Sequence, residues 1–223
     1  MLRQLKTTAD GSSTLYSAHF DENFHSIHGA IQESEHVFIQ AGLEKMKRNN
    51  LTIFEVGFGT GLNALLSYIY TVKNECKIDY HTVEKYPLSE KEYSLLNFPV
   101  LLGKQHNTAF LQMHTSTWGS QKKISENFTL TKHQSDISHF NFENLPLFNL
   151  IYFDAFAPEK QAEMWTETIF YNIYKHSEKD TILVTYCAKG QVRRILQSIG
   201  FTVERIPGPK GKREMLRAVK QSS

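Results

Sequence analysis

Cysteine is scarce in this chain. Only Cys76 and Cys187 occur, far apart and without a C-x-x-C pair, so a disulfide framework and a zinc cage are excluded and reduced core thiols are expected. No run approaches the roughly 18 consecutive apolar residues of a membrane span. The opening "MLRQLKTTADGSSTLYS" has no apolar core of the kind a secretory signal needs. Neither sign of charge dominates: 25 Lys and Arg face 23 Asp and Glu, a net charge of +2. That balance is too weak to announce a nucleic-acid partner. Internal repeats and low-complexity tracts are absent. His25 and His28 stand three apart, but no carboxylate completes a metal pattern, so no metal is expected. These absences point to a cytoplasmic, metal-free protein that does not enter a membrane.

What is present is an alternation. The chain has 223 residues, 40% of them hydrophobic, which suits one large α/β domain. Residues 1–35 are polar and read as an irregular N-terminal extension that lies over the ligand site of the sheet; residues 36–223 read as the main domain. "ESEHVFIQAGLEKMKR" reads as a helix. Strand-like runs then follow in "LTIFEVGF", "KIDYHTVEKY", "NFTLTKHQSDI", "FNLIYFDAF" and "DTILVTYCA". Helix-like runs separate them, including "TGLNALLSYIYTVKN", "AEMWTETIFYNIYKHS" and "GQVRRILQSIG". Alternating strands and helices predict a parallel sheet covered on both faces. "FTVERIPG" and "REMLRAVK", joined by "PGPKGK", predict a closing antiparallel hairpin. The stretch 100–127 carries no clear pattern beyond a helical "TAFLQMHTSTW".

Three glycines, Gly57, Gly59 and Gly61, sit where the first central strand turns into a helix. Ligands of such sheets bind beyond the strands' carboxyl ends. A Cβ at these positions would obstruct a ligand or forbid the tight turn. The spacing G-x-G-x-G differs from the dinucleotide fingerprint. Glu55, just before the turn, would repel a phosphate and suits a ligand with an ammonium group. Glu84 ends the next strand, where an acid accepts from ribose hydroxyls. Asp136 and Asp154 end the two strands after that. A nucleoside without phosphates but with an amino acid tail meets this description, and S-adenosylmethionine is such a molecule.

With "EVGFGTGLN", "VEKYPLS", "DAFAP…MW" and "KREML" in view, the chain resembles the methyltransferases that form 5-methylaminomethyl-2-thiouridine in tRNA, the MnmC/MnmD type. The resemblance covers residues 13–219. It implies the class I methyltransferase fold, an α/β, Rossmann-like arrangement with a mostly parallel seven-stranded sheet and the C-terminal antiparallel hairpin. It implies methyl transfer from S-adenosylmethionine to the primary amine of 5-aminomethyl-2-thiouridine at the tRNA wobble position. Members often carry a fused oxidase domain; at this length the chain resembles the stand-alone form. Carried over, Glu55, Gly57, Gly59, Thr60, Gly61 and Asn63 would hold the methionine part of the donor, Glu84 its ribose and Asp136 its adenine. Asp154 would be catalytic, with Phe156 and Pro158 facing the target base. The family commonly has Gly where this chain has Ser135 and Ala155.

On the substrate side, Tyr16, His28, Gln32 and Glu33 are candidates for the pocket lining. Phe156 and Trp165 are candidates for stacking on a base. Lys160, Lys210, Lys212 and Arg213 are candidates for meeting tRNA phosphates. Two other classes stay open at this level: aminopropyl transfer to a polyamine or methylation of another small amine, and a non-catalytic nucleoside- or RNA-binding module.

Overall fold

The computed structural model describes residues 2–221. Strands β1 (Arg3–Thr7), β2 (Ser13–Ser17) and β3 (Glu22–Asn23) form a small antiparallel sheet. The N-terminal extension is therefore ordered, not irregular. It escapes a pattern reading because four of the five β1 residues are exposed and β2 buries three small polar residues. Its turn is held by the Asp10 carboxylate, which accepts from the Ser12 N–H at 3.0 Å and the Thr8 hydroxyl at 2.7 Å. The same carboxylate accepts from the Gln32 N–H at 3.1 Å, tying the sheet to helix α1 (Ala30–Ser34).

The helix expected from "ESEHVFIQAGLEKMKR" is broken. α1 runs into a wide π-helical turn, Glu35–Gln40, and a separate 3-10 turn follows at Leu43–Lys45. Gly42 separates them; a Cβ there would lie 2.6 Å from the Phe38 carbonyl oxygen.

The main sheet is built from β4 (Asn50–Val56), β5 (Lys77–Glu84), β6 (Gln121–Ser125), β7 (Phe128–Gln134), β8 (Phe148–Phe153), β9 (Ser177–Thr185), β10 (Phe201–Pro207) and β11 (Glu214–Lys220). Their order is β10-β11-β9-β8-β4-β5-β7-β6. β4 pairs in parallel with β5 on one side and β8 on the other. β7 extends β5, and β9 extends β8, also in parallel. The closing hairpin β10–β11 is antiparallel, as expected. The sheet has eight strands where seven were expected. The addition is β6, an antiparallel edge strand with sequence QKKIS. Its lysines hide it from a hydrophobicity reading and are what a protected edge carries.

The helices are α2 (Leu62–Lys73), α3 (Glu90–Tyr93), α4 (Phe98–Leu102), α5 (Asn107–Thr115), α6 (Glu167–Lys175) and α7 (Gly190–Ser198). α6 is shorter than "AEMWTETIFYNIYKHS" suggests, because Ala162–Trp165 form a 3-10 turn and Thr166 caps the α-helix. Both faces of the sheet are covered, and the strand period of two sorts the side chains. Ile53, Leu150 and Tyr152 join the core on the α2 side, whereas Phe54, Val56, Ile151 and Phe153 join the core under α6 and α7. All six residues of β8 are buried, as a central parallel strand requires. The same alternation turns Glu55 toward α2.

Candidate active site

From β4 the chain moves outward through β5 and β7, then crosses back to β8 on the other side of β4, which makes the carboxyl end of β4 the switch point where ligands bind. A cavity of about 470 Å³ opens there, within the usual range for small-molecule sites. Its floor is the turn between β4 and α2. Gly57 adopts φ +93°, and a Cβ on it would lie 2.5 Å from the Asp154 carbonyl oxygen. The close approach that demands glycine here is thus by the protein's own backbone. Hydrogen bonds from Gly57 N–H to the Val83 carbonyl and from Asp154 N–H to the Val56 carbonyl, both 3.0 Å, knit the ends of three strands together.

Asn63, in the first turn of α2, joins the buried Glu55 and the half-buried Asp154. Its amide donates to Glu55 Oε1 at 3.0 Å and to Asp154 Oδ2 at 2.8 Å. Glu55 is 0% exposed and lies behind Asn63, off the cavity wall. Burial, with the Asp154 charge nearby, pushes its carboxyl up to about 8. Asp154 lines the cavity; protein packed around its remaining sides pushes it up to about 7, against the pull of the Asn63 bond. A carboxyl poised there can accept and release a proton at neutral pH.

Glu84 closes the floor on the β5 side. Its oxygens accept from Gly59 N–H at 3.0 Å and Tyr86 N–H at 2.7 Å, and each keeps a lone pair for a further donor. Asp136 accepts from Lys85 Nζ at 2.7 Å and from the Ser138 N–H and hydroxyl. Its carboxyl falls to about 2: these bonds and the Lys85 charge outweigh its partial burial. Neither Ser135 nor Ala155 has positive φ, so the glycines common at these places are not needed.

The remaining walls come from both ends of the chain. Phe20, Phe24, His25, Ser26 and His28 contribute from the N-terminal segment, and Tyr186 and Lys212 from the C-terminal part. Glu33 accepts from Lys212 Nζ at 2.7 Å and from the Ser26 N–H at 2.7 Å, strapping the β10–β11 turn to that segment. Phe156 packs on Phe20 and Phe24, with ring centroids 4.7 and 5.1 Å apart.

Of the expected site residues, Gly57, Gly59, Thr60, Asn63, Glu84, Asp136, Asp154, Phe156, His28, Glu33 and Lys212 line one cavity. Others do not. Gly61 lies behind the turn, against His114. Trp165 is 4% exposed, packs on Phe153 and Phe170, and donates from Nε1 to the Phe156 carbonyl at 2.8 Å. It steadies Phe156 from below and is not free to stack on a base. Tyr16 donates to Asp21 at 2.6 Å on the outside of the N-terminal sheet, and Lys160 donates to the same carboxylate at 2.8 Å. Gln32 is anchored at its N–H by Asp10 and lies off the wall. Pro158 borders a separate shallow hollow with Lys189. Lys210 and Arg213 are exposed on the β10–β11 turn. Sequence reasoning passed over Phe20, Phe24, His25, Lys85, Tyr86 and Tyr186. Lys85 and Tyr86 lie inside "VEKYPLS" and Tyr186 inside "DTILVTYCA", but of these segments only Glu84 was read as a site residue.

Residues 103–221 match the model of a family described as S-adenosyl-L-methionine-dependent methyltransferase. The chain belongs to that family. The methyltransferase is 32% identical over 214 residues to the tRNA 5-methylaminomethyl-2-thiouridine biosynthesis bifunctional protein MnmC of Methylobacillus flagellatus, an alignment covering 90% of this chain and 33% of that protein. The like-named protein of Magnetococcus marinus is 31% identical over 217 residues, covering 92% of this chain and 32% of its own. The chain thus spans about a third of the length of these relatives. Among solved structures, MNMC2 from Aquifex aeolicus superposes with a TM-score of 0.82 at 26% identity, covering 100% of this chain and 72% of that one. The sugar N-methyltransferase KedS8 from Streptoalloteichus superposes at 0.52 and 11% identity, covering 86% and 87%, and shares the fold. The resemblance read from the motifs and these relatives agree.

The cavity fits the family's cofactor, S-adenosylmethionine. Asn63 lines the cavity, and its Oδ1 is buried without a protein partner, an unmet acceptor of the kind an ammonium group satisfies. Five carboxylates and three cations line the walls, a balance that suits a cationic sulfonium. Among the described residues no group of His, Cys, Asp and Glu could hold a metal, and no helix is long and apolar enough to cross a membrane.

The raised acids make a pH prediction for the ligand-free methyltransferase. In the unfolded chain Asp154 and Glu55 lose protons near 3.8 and 4.5, but in the folded chain only near 7 and 8. The folded state therefore binds more protons across that window and loses stability as pH rises through it, by up to about 1.4 kcal/mol per pH unit for each proton. His25 and His133, half-buried and held near 4 by desolvation, act in the opposite sense, but only below their unfolded value of 6.5. Stability should decline from pH 6.5 to 8, and Glu55→Gln should flatten the decline. Urea midpoints at the two pH values check this; a wild-type midpoint that rises over the interval contradicts it.

Proposed function

We propose that this methyltransferase methylates the primary amine of a 5-aminomethyl-(2-thio)uridine at the tRNA wobble position, giving 5-methylaminomethyl-2-thiouridine. The observation that carries the reading is Asp154. It is a carboxyl poised near neutrality on the wall of the donor cavity, in a chain whose relatives are named for forming this nucleoside.

S-adenosylmethionine, when bound, supplies an electrophilic methyl group. The chain's own residues then have three tasks. The first is to hold the donor. Gly57, Gly59, Thr60 and Asn63 surround its amino acid end, Glu84 takes the ribose and Asp136 the adenine side. Glu55 serves this end indirectly, through Asn63, and Gly61 through the shape of the turn. The second task is to deliver a neutral amine. A fully ionised carboxylate beside the amine would favour the ammonium form, which cannot attack. Asp154, raised to about 7, relieves that conflict: it accepts a hydrogen bond from the amine, aims its lone pair and takes the proton released on methylation. Positioning of this kind contributes several kcal/mol out of the roughly 7–11 open to well-oriented reactants. The third task is to hold the nucleotide. Phe156, steadied by Trp165, offers a ring beside Asp154. His28, Glu33 and Lys212 frame the opposite side, and residues 1–35 serve as the cover of a catalytic domain spanning 36–223. Lys85 and Lys212 neutralise Asp136 and Glu33, so the cavity is not the acidic trough a polyamine substrate needs.

Outside the cavity, Lys160, Lys210 and Arg213 are exposed and would meet the tRNA backbone. Affinity for tRNA should fall steeply with salt. Replacing all three with Ala should reduce the slope of log Kd against log salt by about 2 to 3, since each phosphate contact contributes roughly 0.7–0.9. An unchanged slope removes these residues from the interface. The function itself is tested by mass spectrometry of nucleosides from tRNA bearing the aminomethyl group, after incubation with S-adenosylmethionine. One added methyl on the side-chain nitrogen is expected; unmodified nucleoside would reject the proposal.

A further inference from the structure

Thr60, in the middle of the donor-binding turn, is gripped by two histidine rings. On the cavity side His25 Nε2 lies 3.2 Å from the Thr60 hydroxyl, and its Nδ1 lies 3.2 Å from the Thr14 hydroxyl of β2. Thr14 Oγ1 also accepts the His25 N–H at 3.1 Å. On the far side, His114 of α5 reaches the Thr60 carbonyl oxygen with Nε2 at 3.1 Å. A carbonyl only accepts, so Nε2 of His114 carries the proton. Its ring stacks on Tyr93 with centroids 4.5 Å apart and meets Phe110 at 4.7 Å. A Cβ on Gly61 would come within 3.0 Å of the same nitrogen, so turn and ring are packed to contact.

Behind His114 lies a buried lysine. Lys132 of β7 donates from Nζ to the His114 carbonyl at 2.7 Å, and its ammonium sits over the Trp118 ring at 4.5 Å and near the Phe58 ring at 5.6 Å. Burial pulls it down to about 8. A lysine is a costly group to bury, and neither it nor His114 reaches the cavity. Methyl transfer has no direct use for either.

We propose that His114 is a positioning residue of the donor site. It fixes the Thr60 peptide from behind, and so the turn that carries the chain from β4 into α2, while Lys132 fixes His114. The turn is thereby set in shape before the donor arrives, which lowers the ordering cost of binding. The inference concerns the donor alone, so it stands or falls separately from the identity of the nucleotide acceptor.

The test is S-adenosylmethionine affinity by calorimetry. His114→Phe keeps the ring packing but loses the donor to Thr60, and its Kd should rise about tenfold. His114→Gln places an amide N–H where Nε2 was, and should stay within about threefold of wild type. If His114→Phe does not fold, Lys132→Met probes the same chain from its other end, with an expected rise of about threefold to tenfold. Wild-type affinity in His114→Phe or in Lys132→Met overturns the proposal. So does a Gln variant as weak as the Phe variant, because packing alone would then be the ring's role.

Discussion

Asp154→Ala should abolish methyl transfer while the donor still binds. Asp154 is the carboxyl on the cavity wall whose proton affinity lies near neutrality, and a positioned acid or base of this kind is worth roughly 10²–10⁴ in rate. Its loss should lower turnover by that factor. Donor affinity should change far less. The donor's proposed contacts lie on the turn, Asn63 and Glu84, and Asn63 keeps its bond to Glu55 when Asp154 is shortened. A change in donor Kd of about fivefold, the worth of one ordinary hydrogen bond, is the expected ceiling. Asp154→Asn should be nearly as inactive, since it keeps the shape but cannot take a proton. If donor affinity fell in proportion to turnover, Asp154 would belong to the donor site and not to the chemistry.

Gly57→Ala should be the most damaging single methyl group in the chain. The residue has φ +93°, and the added carbon would meet the Asp154 carbonyl oxygen at 2.5 Å and its carbon at 3.3 Å. Both neighbours are backbone, fixed by the β4–β8 ladder. Strain from the left-handed conformation costs about 1–3 kcal/mol, and overpacking a rigid site costs about as much again. A loss of about 3 kcal/mol lowers the melting temperature of a chain this size by about 6–12 °C. Gly119→Ala is the control. Its φ is +77°, but a Cβ there would meet nothing within 4 Å, so it carries only the conformational cost. Differential scanning calorimetry compares the two; equal losses would mean that the contact with Asp154 is unimportant.

The parts that were legible in the sequence share a physical reason. β8 reads as a strand because a central parallel strand must be apolar on both faces. The turn after β4 reads as a site because three glycines in five residues stand at the carboxyl end of a central strand, where ligands of such sheets bind. The parts that were not legible depend on neighbours distant in the chain. Glu55 reads as a ligand contact by its place beside the glycines, yet the strand period turns it away from the cavity and under Asn63. Trp165 reads as a stacking ring, but the chain buries it against β8 and leaves only Phe156 on the wall. Gly57 reads as room for a ligand, whereas the atom that needs the room belongs to Asp154. Phe20, Phe24 and His25 reach the site only because the N-terminal sheet folds back, and that sheet has too little hydrophobic alternation to announce itself.

The central claim is that the turn after β4 holds an S-adenosyl donor with its reactive end toward Asp154. A crystal structure of the protein with S-adenosylmethionine tests it most directly. The donor should lie along Gly57–Thr60 with its ammonium on Asn63 and its ribose on Glu84, leaving the methyl group open to the Asp154 carboxyl. A donor bound elsewhere, or seated there with its methyl group turned away from Asp154, would contradict the account.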